Sequence, residues 1–187
     1  MNAGTVVRNS SRETLLDAAQ AIVSEQGVAA MTLENVASRA GVTKGGLIYH
    51  FKTRELLLQA LIERMVEQIE SRYQEEAAKL GQTLEALLVA MIDDTFAMPV
   101  ADKALMRNLL AAVSSYPNQL GPVQQMYERT ISSINQQSEH SGLALMVSCA
   151  LDGLVFLELL DIKHFNDRER ALMRQALIDS VKRELNT

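Results

Sequence analysis

The feature that most constrains this 187-residue chain is the segment 33–51, whose spacing is that of two short helices joined by a sharp turn. Ala37 is small enough for the second helix to cross closely over the first, and Gly41 can take the positive φ that the turn requires. Leu47 then returns an apolar side chain to the shared core. The pattern predicts a helix-turn-helix whose second helix covers about 44–50.

The outer face of that second helix is suited to DNA. Lys44, Tyr49 and His50 supply a cation and two polar-tipped rings that can reach a phosphate or a base edge. Gly45 and Gly46 each cost about 1 kcal/mol relative to alanine inside a helix, so a purely structural helix gains nothing obvious from them. Close approach to a phosphate strand would explain them. The alternative is a helical hairpin that packs a core and touches no nucleic acid.

Composition indicates an all-α chain, because only 3 prolines and 9 glycines interrupt it and aromatic residues make up 4%. Ser10 and Glu13 have the spacing of a capping box, and a threonine precedes each of three later helical patterns: Thr32, Thr43 and Thr53. About nine helices are predicted in all. Besides the pair at 33–51, they cover 10–26, 54 to about 80, 83–97, 101–115, 123–138, 143–161 and 167–185.

Charge is unevenly distributed along the chain. Residues 1–52 hold five cations and four anions, whereas the whole chain has a net charge of −5, so the remainder carries −6. A weakly basic amino-terminal part therefore precedes an acidic one, which places any electrostatic attraction to DNA at the helix-turn-helix. We expect modest non-specific affinity, with specific binding helped by the doubled contacts of a dimer.

Few residues offer catalytic or metal-binding chemistry. The single Cys149 cannot form an internal disulfide or a thiolate metal site, which fits a reducing cytoplasm. The three histidines lack partners at ligand or triad spacing, and the chain has no Gly-rich phosphate loop, so we expect neither an enzyme nor a cofactor or metal. The amino terminus lacks the apolar core of a signal peptide, and the later apolar stretches are expected to be too interrupted to span a membrane.

Residues 14–58 resemble the TetR family of one-component transcriptional regulators. The resemblance follows the phrases Leu-Asp-Ala-Ala, Ala-Gly-Val-Thr-Lys-Gly and Tyr-His-Phe-Lys-Thr-Arg-Glu-Leu-Leu. It implies a three-helix DNA-binding domain at 10–52, followed by a helical effector-binding and dimerisation domain at 53–187. It also implies a homodimer whose recognition helices enter successive major grooves of a palindromic operator in double-stranded DNA, with an unknown small molecule as effector.

The resemblance also suggests which side chains contact DNA. The implied set is Thr32, Thr43, Lys44, Gly45, Tyr49, His50, Lys52 and Arg54. One departure is that many members carry a second aromatic residue where this chain has Ile48. Ile48 could touch a thymine methyl group, but we expect it to be buried.

The carboxyl-terminal part offers a dimer surface and a ligand pocket. The stretch 143–160 is too apolar all round for a lone surface helix and needs burial on two sides, one of them against a copy of itself; a core helix within one chain is the alternative. The predicted interface is Ala150, Gly153, Leu157, Leu177 and Val181. The predicted pocket, for which ordinary core packing is the alternative, is Met91, Phe96, Met106, Met126, Tyr127, Met146 and Phe156. Asp93, Asp94, Arg107 and His140 could orient a polar ligand group, although such residues are more often solvated.

The sequence thus predicts a homodimeric, sequence-specific DNA-binding regulator, a repressor released by an effector. The alternative is a helical small-molecule sensor or scaffold that does not bind an operator.

Overall fold

The computed structural model describes residues 11–112, 116–137 and 140–185, and nine α-helices account for nearly all of these ranges. In chain order they are α1 (Ser11–Gln26), α2 (Leu33–Ala40), α3 (Lys44–His50), α4 (Arg54–Lys79), α5 (Leu84–Phe96), α6 (Val100–Ala112), α7 (Gly121–Gln137), α8 (Ser141–Leu159) and α9 (Asp167–Leu185). The prediction of an all-α fold with about nine helices is confirmed. The predicted capping box begins at Ser10, which lies outside the described residues.

The helices begin where their capping residues indicate. The hydroxyl oxygens of three threonines accept a backbone N–H three residues later, at 3.1 to 3.2 Å: Thr32, Thr43 and Thr53. Gly41 has φ 68° between α2 and α3, as the turn requires. Two helices begin two residues earlier than predicted, since α7 begins at Gly121 and α8 at Ser141. Pro122 then occupies the first turn of α7, where its missing N–H costs nothing.

The amino-terminal helices share one apolar core with the rest of the chain. Buried residues of α1, α2 and α3 pack against Leu57, Leu58 and Leu61 of α4 and against Leu105 and Leu109 of α6. A second core joins α5, α8 and α9. The three-helix unit thus packs directly against α4 and α6. A movement of either helix would therefore change the position of that unit.

Helix α8 departs from our expectation about membrane-spanning segments. By length and composition alone it could cross a membrane, although a helix of a soluble protein can pass the same test. Only 28% of its most apolar 18-residue window is buried in the single chain. Its outward face is therefore not covered by the part of the chain that the structure describes.

Candidate nucleic-acid interface and cavity

Helix α3 presents nearly its whole surface to solvent. Leu47 is its one buried residue, and Tyr49 is 84% exposed. The expectation that Ile48 is buried is wrong, since its side chain is 39% exposed. Because Leu47 fills the inward position of this seven-residue helix, the two residues after it point outward. An exposed aliphatic side chain is thus available beside Tyr49, as contact with a thymine methyl group requires.

The two glycines of α3 are not required by packing within the protein. A Cβ at Gly45 would meet only the Thr43 Oγ1, at 3.9 Å, and a Cβ at Gly46 would meet the same atom at 3.4 Å. Both are ordinary van der Waals distances. The Gly46 N–H donates to that oxygen at 3.1 Å, which leaves the Thr43 hydroxyl hydrogen able to donate outward. The space over Gly45 is open to an external partner.

The cations of this surface are partly neutralised. Lys44 Nζ lies 2.5 Å from a carboxylate oxygen of Glu34, and the hydrogen bond from Lys44 lowers the Glu34 pKa. Arg39 makes a bidentate pair with Glu25 at 2.6 and 2.7 Å. Lys52 is exposed. To reach DNA, Lys44 must exchange its carboxylate for a phosphate or a base.

Arg54 is placed differently from what the resemblance suggested. Its guanidinium donates to the backbone oxygens of Val28 and Met31, at 2.6 and 2.8 Å, and to the Tyr116 hydroxyl at 2.5 Å. It also lies 5.3 Å from the centre of the Tyr116 ring. The Nε and both Nη atoms of Arg54 are thus engaged within the protein, and its side chain lies inward. We therefore remove it from the set of DNA-contacting residues.

Two further polar side chains, Arg64 and Asn108, hold the three-helix unit against the rest of the chain. Arg64 on α4, which is buried, donates to Asp17 and Gln20 of α1, both at 2.7 Å. Asn108 on α6 donates to the backbone oxygen of Val23, at 2.7 Å, near the end of α1. A displacement of α4 or α6 would therefore also displace the amino-terminal three-helix unit.

A cavity of about 640 Å³ lies among α4, α5, α6, α7 and α8. Its size and apolar lining are typical of small-molecule sites. The structure brings five of the seven predicted pocket residues to this cavity: Met91, Met106, Met126, Tyr127 and Phe156. The other two lie elsewhere. The Arg170 guanidinium lies over the Phe96 ring, 5.2 Å from the centre of that ring. Met146 is 70% exposed on the outer side of α8.

Sequence reasoning missed the most unusual group in the cavity wall, Asp152. Burial raises the pKa of this carboxyl group, and the hydrogen bond from the Tyr127 hydroxyl opposes that change. Burial also raises the pKa of Tyr73, which lines the same wall, to about 12. The signal in the sequence is a carboxylate in the middle of the long apolar stretch of α8, whose other carboxylate, Glu158, lies at its end. Of the four polar residues considered for ligand orientation, Asp94 lines the cavity and is paired with Arg72.

Family models match two parts of the chain. Residues 15–61 match the model described as bacterial regulatory proteins, tetR family, and residues 81–182 match tetracyclin repressor-like, C-terminal domain. The chain belongs to the TetR family. Its first three helices lie almost entirely in the part of the chain that matches the family's amino-terminal helix-turn-helix unit.

Relatives of known name agree with this assignment. The transcriptional regulator SrpR of Pseudomonas putida is 32% identical over 83 residues, covering 44% of this chain and 38% of that protein. The first three named relatives are thus covered over less than two thirds of their own length. The regulator BetI of Yersinia pestis is 25% identical over 190 residues, covering 94% of this chain and 92% of its own.

Solved structures share the fold of this TetR-family chain. A transcriptional regulator from Rhodococcus sp. Rha1 superposes with a TM-score of 0.73 at 17% identity, covering 94% of this chain and 97% of that one. EbrR, a multidrug binding protein complexed with imidazole, gives a TM-score of 0.69 at 19% identity, covering 93% and 94%.

The proposed dimer surface of this TetR-family chain is only partly as predicted. Val181 was expected there but is fully buried among α5, α8 and α9 and cannot contact a second chain, so that expectation is wrong. Leu177 packs against the same core. Ala150 and Gly153 are exposed on α8, and Leu157 is half-buried. Large exposed apolar side chains occur on or near the same two helices, at Met146, Phe156, Leu160, Ile162 and Leu172.

Proposed function

We propose that this TetR-family regulator is a repressor that binds a palindromic operator as a homodimer in the cytoplasm and is released by a small-molecule effector. The observation that carries the proposal is the surface of α3, where an open glycine backbone is flanked by Lys44 and the exposed Tyr49. The proposed DNA-contacting set is Thr32, Thr43, Lys44, Gly45, Tyr49, His50 and Lys52, to which we add Ile48.

We propose that α8 and α9 form the dimer interface. Met146, Ala150 and Gly153 are exposed at helical spacing along α8, and Leu160, the residue after its end, is exposed as well, so they form one apolar stripe. The small residues at its centre permit close approach of a second helix, and a stripe of this kind is complementary to its own copy across a two-fold axis. Dimerisation would also cover the face that makes α8 resemble a membrane span.

We propose a functional division between a DNA-reading part, 10–52, and an effector-binding and dimerisation part, 53–187. The shared core allows the two parts to communicate. Leu58 and Leu109 belong to the core under the DNA-reading helices and also line the cavity. The cavity-lining Tyr116 is joined through Arg54 to the backbone of Val28.

Release would follow from these connections. An effector that displaces α6 or Tyr116 would favour a conformation in which the two α3 helices are wrongly spaced for successive major grooves. By linkage, effector and operator must then weaken each other's binding by the same factor. That EbrR is a multidrug binding protein of the same fold supports a ligand role for the cavity.

Selection of random DNA by the purified protein tests the proposal. We expect a palindrome whose half-sites lie one helical turn apart, or a multiple of it. Lys44→Ala, Tyr49→Phe and Gly45→Ala should each weaken binding to it while the dimer stays intact. Gly121→Ala, which adds the same methyl group at an open position at the start of α7, is the matched control. Recovery of no preferred sequence would favour a sensor without an operator.

A further inference from the structure

We infer that the cavity takes an apolar organic cation and that Asp152 is the counter-ion of that ligand. The inference rests on the proposed function in one respect, namely that this cavity is the effector site. The observation behind it is the distribution of charge around the cavity wall. One carboxylate there has no cationic partner among the described residues, and aromatic rings belong to the same cavity wall.

The other charged groups of the wall are already paired. Asp94 accepts from Arg72 at 2.7 Å, and Glu70 accepts from Arg129 at 2.8 Å. Asp152 instead accepts a hydrogen bond from the phenol of Tyr127, which can satisfy one lone pair but cannot neutralise a charge. Within the described part of the chain, Asp152 is therefore the acidic residue of this wall that has no oppositely charged partner.

The remainder of the lining suits the apolar part of such a ligand. Four aromatic rings belong to the wall, those of Tyr73, Tyr116, Tyr127 and Phe156. The faces of aromatic rings attract cations, and most strongly where water is excluded. Methionine and leucine side chains supply much of the other surface, and these adapt to bulky apolar groups. A cavity of about 640 Å³ is large enough to hold a drug-sized cation.

Burial explains why a cation is favoured over a neutral or anionic ligand. Removal of the Asp152 carboxylate from water disfavours its ionised form, which is why its pKa is raised. The pKa of the adjacent Tyr127 is raised as well, first by burial and then by Asp152 itself. A bound cation would stabilise the ionised carboxylate and gain its attraction in a medium of low dielectric constant. A neutral ligand lacks that gain, and an anion would be repelled.

Two ions of the same shape and opposite charge provide the test. Tetraphenylphosphonium and tetraphenylborate should be titrated into the full-length protein by calorimetry. We expect the wild-type protein to bind the cation more tightly than the anion. Asp152→Asn should lower the affinity for the cation about tenfold, as expected when one partly buried charge pair is lost, and should not lower that for the anion. Asp179→Asn, which makes the same change on α9 outside the cavity wall, should have no effect.

Each other outcome overturns the inference. Equal binding of the two ions by the wild-type protein excludes a counter-ion role, as does failure of the cation to bind. Unchanged cation affinity in a folded Asp152→Asn protein excludes Asp152 itself. If that variant does not fold, the wild-type comparison still decides, because the inference requires a preference for the cation. Operator binding measured without any ligand reports separately on the proposed function.

Discussion

At the scale of single residues, the pair between Lys44 and Glu34 restrains the proposed DNA-reading surface, the exposed side of α3. Glu34 carries a negative charge beside the proposed phosphate contacts and holds the cation that would otherwise approach DNA. We expect Glu34→Gln to raise the affinity for non-specific DNA a few-fold at low salt, because it frees Lys44 and removes a repulsion. Fluorescence anisotropy over a range of salt concentrations measures this change.

The matched control for this prediction is Glu76→Gln. Glu76 forms a pair of the same length with Lys79, and both lie near the end of α4 rather than on the DNA-reading surface. That variant should bind DNA as the wild-type protein does. If both variants bound non-specific DNA more tightly by the same factor, the change in net charge alone would explain the effect of Glu34→Gln.

Asp152 permits a prediction about pH and stability. A carboxyl group whose pKa is raised by folding binds its proton more tightly in the folded state, so its ionisation costs stability above its ordinary pKa range. Asp152→Asn should therefore unfold at a higher temperature than the wild-type protein at neutral pH, and the difference should shrink as the pH is lowered below that ordinary range. Thermal melts at several pH values measure this. A lower melting temperature at neutral pH, with Asp179→Asn unchanged, would contradict it.

At the scale of helices, the sequence was most informative where local rules operate. Threonine caps and the position of Gly41 fixed the starts and the turn of the helix-turn-helix, because these depend on neighbours within four residues. The direction of a side chain around a helix was less certain. Ile48, Phe96 and Met146 were misplaced because their surroundings depend on which helices pack nearby.

Long-range partners could not be predicted at all from local pattern. The family resemblance implied that Arg54, which begins α4 soon after the recognition helix, contacts DNA. Its partners include Tyr116, which is distant in the chain, and the backbone oxygens of Val28 and Met31 at an unpredicted 3-10 turn. Likewise, the local sequence around Asp152 does not show that α4 and α7 line the same cavity as this carboxylate.

The link between Arg54 and Tyr116 gives a prediction at this scale. Tyr116→Phe removes a hydrogen-bond acceptor from a partly buried guanidinium, so we expect a loss of stability of about 1–3 kcal/mol. The amides of residues 28–32 should exchange with deuterium faster, because Arg54 then fixes their carbonyls less firmly. Hydrogen exchange with mass spectrometry measures this. Tyr49→Phe, which alters an exposed tyrosine, is the control, and equal protection in the two variants would exclude the coupling.

At the scale of the whole molecule, the proposed function depends on two copies acting together. The unit with the DNA-reading surface is small, and its cations are few and partly paired. One unit alone should therefore bind DNA weakly. Two units fixed at the spacing of successive grooves would bind as one bivalent ligand, whose affinity depends strongly on that spacing. The α8 and α9 surface would thus determine operator affinity from a distance.

Ala150→Arg tests this dependence. The substitution places a long charged side chain at the centre of the exposed stripe on α8, where it would have to be buried unpaired in a dimer. We expect a folded monomer by sedimentation velocity and a loss of operator affinity of at least about a hundredfold, since the gain from bivalency disappears. Leu80→Arg, at another exposed apolar position near the end of α4, should remain dimeric and bind normally. A dimeric Ala150→Arg protein would move the interface elsewhere, and a monomer with undiminished operator affinity would show that one DNA-reading unit suffices.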